Sequence, residues 1–369
     1  MIVVGAGVVG AAIAWRCAQR GQDVTLVDPD PSRGAWHTAA GMLAPVTELH
    51  YTETSLLRLN LDSLGRWPSF AAELAEAAGQ PTGLRETGTV LVAHDAADLA
   101  TLRDLHAFAT GLGVGADLLT GRELRALEPA LAAGLPGGLH APGDHQADPR
   151  LLRAALAEAG RRAGVVLVAG EVADLVRDGD CEGGRVTGVV LADGTTLAGG
   201  TVVVAAGAWS SRWGAPVRPV KGQTLRLRLP GPPVLQRVLR GRVRGNPVYL
   251  VPRADGRIVV GASSEEAGFD LTPRAGAVYD LLRDAQALLP VLGEAQFEEV
   301  CTGLRPGSPD NAPVIGAAAP GLVHATGHYR NGVLLTPVTA DAVAHLVATG
   351  ETPAAIAPFA PGRFAAVPA

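Results

Sequence analysis

Near its start the chain reads "IVVGAGVVGAAIAWRCAQRGQDVTLVD". A short apolar run meets glycines spaced G-x-G-x-x-G. An apolar-periodic segment follows, stopped by Gly21, and then a second apolar run ends in Asp28. That order predicts strand, tight turn, helix and parallel strand, the opening βαβ unit of an α/β fold. Gly5 permits the turn, Gly7 lets a phosphate approach the backbone, and Gly10 lets helix and strand pack closely. Asp28 stands where a carboxylate accepts the hydroxyls of a ribose. The fingerprint serves FAD and NAD alike.

A doubly wound domain would next show a crossover helix and a third strand. Here a loop of small residues follows instead, "RGAWHTAAGMLAP". Further on, the leucines and alanines of "SLLRLNLDSLGRWPSFAAELAEAAG" have helical spacing, and "TGTVLVAH" reads as a strand. Thr120 and Glu123 form a capping-box start, and Asp148 followed by Pro149 is an N-cap with proline in the first turn. Asp193-Gly194 and Asp255-Gly256 are hairpin turns between apolar runs. The C-terminal part returns to α/β character, with an amphipathic helix before Gly350 and a Pro/Ala-rich surface tail after about Pro353. The whole suggests a nucleotide-binding domain interrupted by a more antiparallel lobe.

With 47% hydrophobic residues the 369-residue chain can bury two cores. A net charge of −5 offers nothing to attract nucleic acid. Cys17, Cys181 and Cys301 lie far apart, and His37, His145 and His328 have no ligand spacing, so no metal is expected. No apolar run has the length of a membrane span and no leader is visible, so a cytoplasmic protein is expected.

The stretches "VVGAGVVGAAIAWRCAQRG", "AAGMLAP", "DHQADPRLL", "TVVVAAGAWS", "PVKGQ", "YLVPRADGRIVVGASSEEAGFD", "TGLRPGSPDNAPVIG" and "TGHYRNGVLLTP" span nearly the whole chain. Together they resemble the FAD-dependent amine and amino-acid oxidases of the D-amino acid oxidase type, and are most similar to the glycine oxidases of bacterial thiamine biosynthesis. The resemblance implies an α/β (α+β overall) fold. A Rossmann-like FAD-binding domain (1–75, 142–212 and 302–369) is interrupted by a mostly antiparallel β-sheet substrate domain with helices (76–141 and 213–301). It also implies noncovalent FAD. Gly5, Gly7, Val8, Val9 and Gly10 would meet its pyrophosphate, and Asp28 and Pro29 its adenosine. Val172 would lie near the adenine. Gly207, the loop Ala40, Gly41 and Met42, and the run His328, Arg330, Asn331, Gly332, Val333 and Leu334 would line the rest. "RNGVLLTP" is expected to open a helix whose free N–H groups face the flavin.

By the same resemblance Arg305 clamps the substrate carboxylate, Tyr249 supplies a second donor, and Arg330 assists beside the flavin. On its residues alone Arg305 would pass for a surface turn arginine and Tyr249 for a half-buried sheet tyrosine. Lys221, the chain's single lysine, reads best as a strand-end residue satisfied by carbonyls. The implied reaction is oxidative deamination of glycine with dioxygen, giving an imine or glyoxylate, ammonia and hydrogen peroxide, with a link to thiazole synthesis. Hydride leaves the α-carbon without a protein base. Ser263 and Ser264 replace a methionine of the family's pattern, which leaves sarcosine or a small D-amino acid open. A dehydrogenase or oxidase for another amine such as proline, another electron acceptor and a homo-oligomeric assembly are also left open.

Overall fold

The computed structural model describes residues 1–179 and 183–364, so Cys181 lies outside the described residues. Its eight α-helices among these residues are α1 (Val8–Gln19), α2 (Ala35–Thr38), α3 (Thr54–Ala78), α4 (Ala96–Gly111), α5 (Gly121–Leu127), α6 (Pro149–Arg162), α7 (Ala275–Leu288) and α8 (Thr336–Thr349).

A six-stranded sheet is built around the opening unit. Ile2–Val4 lies between Val202–Val204 and Thr25–Asp28, all parallel, with Leu322–Thr326 and Val166–Ala169 continuing on either side. Only the outermost strand, Val314–Ala319, is antiparallel. The two central strands, Ile2–Val4 and Val202–Val204, are apolar at every position, as both faces are covered. Helices α1, α6 and α8 bury Ile13, Trp15, Leu152, Leu156 and Val343 against one face, together with Trp67 and Phe70 of α3. The other face packs on a three-stranded antiparallel sheet through Val172, Val189 and Leu191.

The second large sheet has eight strands, antiparallel except where Val238–Val243 runs parallel to Thr89–Ala93. From one edge its order runs Gln296–Gly307, Arg218–Arg228, Arg257–Gly261, Asn246–Pro252, Val238–Val243. Strand Gln296–Gly307 runs unbroken across residues 301 and 302, where the sequence places a domain boundary. Helix α7 closes the lower face with Leu281, Ala285 and Leu288.

The local signals produce the elements expected of them. Asp148 accepts from the Arg150 amide at 2.9 Å with Pro149 in the first turn of α6, and Thr120 and Glu123 form a complete capping box. Both Asp-Gly pairs close hairpins. The small-residue loop, however, contains the one-turn helix α2 and the short strand Met42–Leu43. Helix α8 is buried on most sides rather than amphipathic, because it is wedged between α1 and α3. As far as residue 364 the tail runs over the surface, mostly exposed or half-buried, but it is anchored at a few points. Ile356 and Phe359 are buried, the latter against Leu335 and Val338, and Arg363 pairs with Asp310 at 2.9 Å. No helix among the described residues is long and apolar enough to cross a membrane.

Candidate active site

The cofactor candidates follow the carboxyl ends of parallel strands. Gly5 to Gly10 come after Val4, Asp28 ends the next strand with Pro29 just beyond it, Val172 comes soon after Ala169, Gly207 after Val204, and His328 to Leu334 after Thr326. In open α/β sheets this edge holds the ligand. Gly5 has φ of 103°, and a Cβ on it would lie 2.5 Å from the Ala205 carbonyl oxygen, so the turn demands glycine. At Gly7, by contrast, the nearest neighbour a Cβ would meet is Trp36, at 3.8 Å. Backbone open to a diphosphate at Gly7, a packed turn on either side and a following helix N-terminus fit FAD. Trp36, to which the sequence reading assigned no role, is thus a wall of this site.

Asp28 does more than wait for a ribose. Its two carboxylate oxygens accept from the amides of Ala6 at 2.7 Å and Asp30 at 2.9 Å, joining the phosphate turn to the end of the second strand. Gly207 accepts from the Thr326 hydroxyl at 3.0 Å, which ties two strand ends together.

The loop of Ala40, Gly41 and Met42 is clamped onto both sheets. Gly41, at φ of 73°, packs on the Ala147 carbonyl, and its own oxygen accepts the Ala147 amide at 2.8 Å. Buried Arg253 donates to the Ala40 carbonyl at 2.6 Å and to Gln146 at 3.0 Å, while Asp148 lies 3.4 Å from it. Burial lowers the Arg253 guanidinium to about 10, with Asp148 opposing the shift. Arg226, also buried, reaches the His37 carbonyl at 3.0 Å. These carbonyls face the eight-stranded sheet, so the peptide N–H on the far side of Ala40, that of Gly41, points away from it. Neither arginine was assigned a role from the sequence, because nothing local marks an arginine within a strand (Arg226) or just past one (Arg253) as a carbonyl anchor.

Arg305 and Tyr249 meet above two glycines. Arg305, near the end of strand Gln296–Gly307, lies flat over Gly222 of the neighbouring strand; a Cβ there would be 2.6 Å from its Cζ. Tyr249 lies likewise over Gly261, its cross-strand partner, with Cε2 2.6 Å from where a Cβ would stand. The two side chains therefore lean toward each other across strands Arg218–Arg228 and Arg257–Gly261. Tyr249 also packs in one cluster with Ala40 and Met42. Burial pushes its phenol up, and the nearby Arg305 charge pulls it back, so the hydroxyl keeps its proton at neutral pH. Arg305 donates only to backbone carbonyls, of Ser263 at 3.1 Å and Lys221 at 3.4 Å, and forms no ion pair with a carboxylate among the described residues. Its charge is left for an incoming acid.

The run from His328 to Leu334 is joined to Arg305 through the Tyr329 amide, which donates to the Pro306 carbonyl at 3.1 Å. The run does not itself begin a helix. Turns extend to Leu335, whose amide bonds the Asn331 carbonyl at 2.8 Å, and α8 starts at Thr336. The Leu334 carbonyl accepts from Ser63 at 2.6 Å and from the Trp67 indole at 2.9 Å, which holds this end of the run against α3. Val333, Leu334 and Asn331 are buried, and Gly332 sits beside His328. His328 bonds Thr339 at 3.0 Å, and burial lowers its imidazole to about 4, so it carries no charge at neutral pH.

Arg330 is differently placed from Arg305. Its Nη2 lies 2.7 Å from Glu53, whose other oxygen accepts from Asn311 at 3.2 Å. Glu53 precedes α3, and no sequence signal marked it. Lys221 lies within strand Arg218–Arg228 rather than at its end. It is fully buried, with Nζ 2.6 Å from the Thr272 carbonyl and 3.4 and 3.6 Å from Asp270 and Glu265. The Ser263 hydroxyl is turned to the Gln223 amide at 2.9 Å and to Glu265 at 2.6 Å; its carbonyl is what meets Arg305. His37, Glu299 and Cys301 bring potential ligand atoms within 4.8 Å of one another. Arg150 occupies Glu299 at 2.9 Å, and burial pushes the Cys301 thiol up to about 11, so the group is held as an ion-pair cluster.

Comparison with known proteins agrees with this geometry. The family model "DAO: FAD dependent oxidoreductase" matches residues 1–346. The chain is 37% identical to the glycine oxidase of Geobacillus kaustophilus, over 97% of this chain and 95% of that one. The crystal structure of glycine oxidase from the same organism superposes with a TM-score of 0.90 at 36% identity, covering 99% and 98% of the two chains. A bifunctional protein ThiO/ThiG of Synechocystis is 34% identical over 99% of this chain, which spans 54% of that longer protein. A glycine-lined turn fit for a dinucleotide, a free guanidinium near the loop of Ala40 and Met42 and a family match over nearly the full length make this chain a member of the DAO family of FAD-dependent oxidoreductases.

Proposed function

We propose that the chain oxidises glycine to its imine, which water converts to glyoxylate and ammonia unless it is captured for thiazole formation, with dioxygen as final acceptor and hydrogen peroxide as its product. The observation that carries this reading is Arg305, a cation with only carbonyl partners, facing Tyr249 beside the loop of Ala40 and Met42. Arg305 takes the substrate carboxylate in two parallel hydrogen bonds, a geometry lysine cannot reproduce. The protonated Tyr249 hydroxyl donates to the same group. With the carboxylate fixed, the α-carbon of a small amino acid is oriented toward the flavin loop. Bound FAD supplies the two-electron acceptor for the departing hydride. The Arg305 charge and the exclusion of water favour the neutral amine, the form able to drive that departure. Neutral His328 adds no competing charge.

Arg330 assists through the ion pair it makes with Glu53, and Arg305 is the primary clamp. The Ser263 hydroxyl is engaged with Gln223 and Glu265; glycine is the proposed substrate, with sarcosine and small D-amino acids the alternatives left open. Residues 1–75, 142–212 and 302–369 serve the cofactor, and 76–141 and 213–301 the substrate. The enzyme works in the cytoplasm and its imine feeds thiazole formation, a role supported by the similarity to ThiO/ThiG proteins.

Anaerobic titration with glycine, sarcosine and D-alanine, followed by air and a peroxide assay, tests the reading. Glycine should bleach the flavin absorbance and air should restore it with one peroxide per turnover. Arg305→Ala should retain FAD while kcat/KM falls roughly 100-fold or more, from the loss of charge-assisted bonds of about 1.5–3 kcal/mol each. No bleaching by any of the three amino acids, or unchanged glycine turnover in the variant, would overturn it.

A further inference from the structure

Arg153 is buried, 6% exposed, one turn into α6, a helix the fingerprint does not include. Its Nε donates to the Ala6 carbonyl at 2.5 Å. The Ala6 amide, on the other side of the same residue, donates to Asp28 at 2.7 Å. Both polar groups of the residue between Gly5 and Gly7 are thus held by charged side chains, from opposite flanks of the turn. A trans peptide is planar, so a carbonyl directed at Arg153 sends the following N–H, that of Gly7, the opposite way. That N–H belongs to the turn left open at Gly7, before the first bonded amide of α1. Arg153 forms no ion pair among the described residues; Asp28 is the charge that acts on it, and burial lowers its guanidinium. A buried cation without a close counter-ion is costly unless something compensates for it. A diphosphate seated on the turn is such a compensation.

We infer that Arg153 is a positioning residue for the cofactor diphosphate. Through the Ala6 carbonyl it sets the Gly5–Ala6–Gly7 turn with the Gly7 N–H toward the phosphates, and it places an unneutralised positive charge beneath them. The inference rests on the family's FAD, independently of the amino acid oxidised. Arg153 is not a catalytic residue, since it touches backbone and neither substrate nor reacting atoms.

The test uses purified holoenzyme and reads FAD release on dilution, by the rise in flavin fluorescence, alongside thermal unfolding with saturating FAD. Arg153→Met keeps the length and removes both donor and charge. It should raise the FAD Kd at least 10-fold, while saturating FAD restores the unfolding temperature to near the wild-type value and glycine turnover with it. Arg153→Lys, which keeps a donor and the charge, should recover most of the affinity. An Arg153→Met Kd within twofold of wild type would overturn the inference. So would a lowered unfolding temperature that saturating FAD does not correct, or failure of this variant to fold with excess FAD, since each makes Arg153 a scaffold residue. Loss of FAD from the variant would stand whether or not glycine proves to be the substrate.

Discussion

At the scale of single residues, two arginines with the same expected partner end in different states. Arg305 donates to carbonyls alone, whereas Arg330 is held by Glu53. A guanidinium already satisfied by a carboxylate gains less free energy from a second one, which is why Arg305 is the one proposed as the clamp. Its position depends on a side chain that is missing. Gly222→Ala would put a methyl group where the guanidinium lies, and the long arginine side chain is what can move. Glycine kcat/KM should fall about 10-fold, equivalent to about 1.4 kcal/mol of lost orientation. Stability should change by less than about 1 kcal/mol, as steady-state kinetics and denaturant unfolding on one preparation would show.

At the scale of elements, helix starts carry information the chain announces locally. The α5 capping box closes with the Glu123 carboxylate accepting from the Thr120 amide at 2.8 Å, and hydrogen bonding to Thr120 holds Glu123 below its usual range. Thr120→Ala should destabilise the protein by about 1 kcal/mol, read as a lower urea midpoint, with FAD content and glycine turnover unchanged. The contrast with α6 is one of context. Its cap, Asp148, also faces buried Arg253, so the same kind of residue there supports the loop at Ala40 as well as the helix. Helix α8 shows the limit of periodicity. Its sequence reads as one apolar stripe, but packing from α1 and α3 buries most of its circumference.

For the whole molecule, His328 couples the site to acid stability. In the unfolded chain its imidazole titrates near 6.5, and in the buried native site near 4. Between these values the unfolded state binds a proton that the native state refuses, so stability falls as pH drops through 6.5 toward 4. Asp144 acts in the opposite sense, because burial raises its carboxyl to about 6 and protonation there relieves a buried charge. In a comparison of wild type with His328→Gln the Asp144 contribution cancels. Between pH 7 and pH 5 the wild type should therefore lose about 2 kcal/mol more than the variant, measured by urea unfolding with FAD in excess.

What could be read without the fold was whatever neighbours in the chain decide among themselves. The strand–turn–helix of Gly5 to Gly10, the acid at Asp28, the caps at Thr120 and Asp148 and the Asp-Gly hairpins are set by sterics and hydrogen bonds over a few residues. The family likeness supplied Arg305 and Tyr249 as names, with no geometry attached. Only the tertiary structure decided which charges are free. The Arg330–Glu53 bond joins residues 277 positions apart, and the bond from Arg153 to Ala6 joins residues 147 apart. Lys221 likewise reads as a strand-end cation until the folded sheet encloses it against Thr272 and Asp270. A side chain's charge acts on whatever folding brings within a few ångströms, and sequence separation carries no record of that distance.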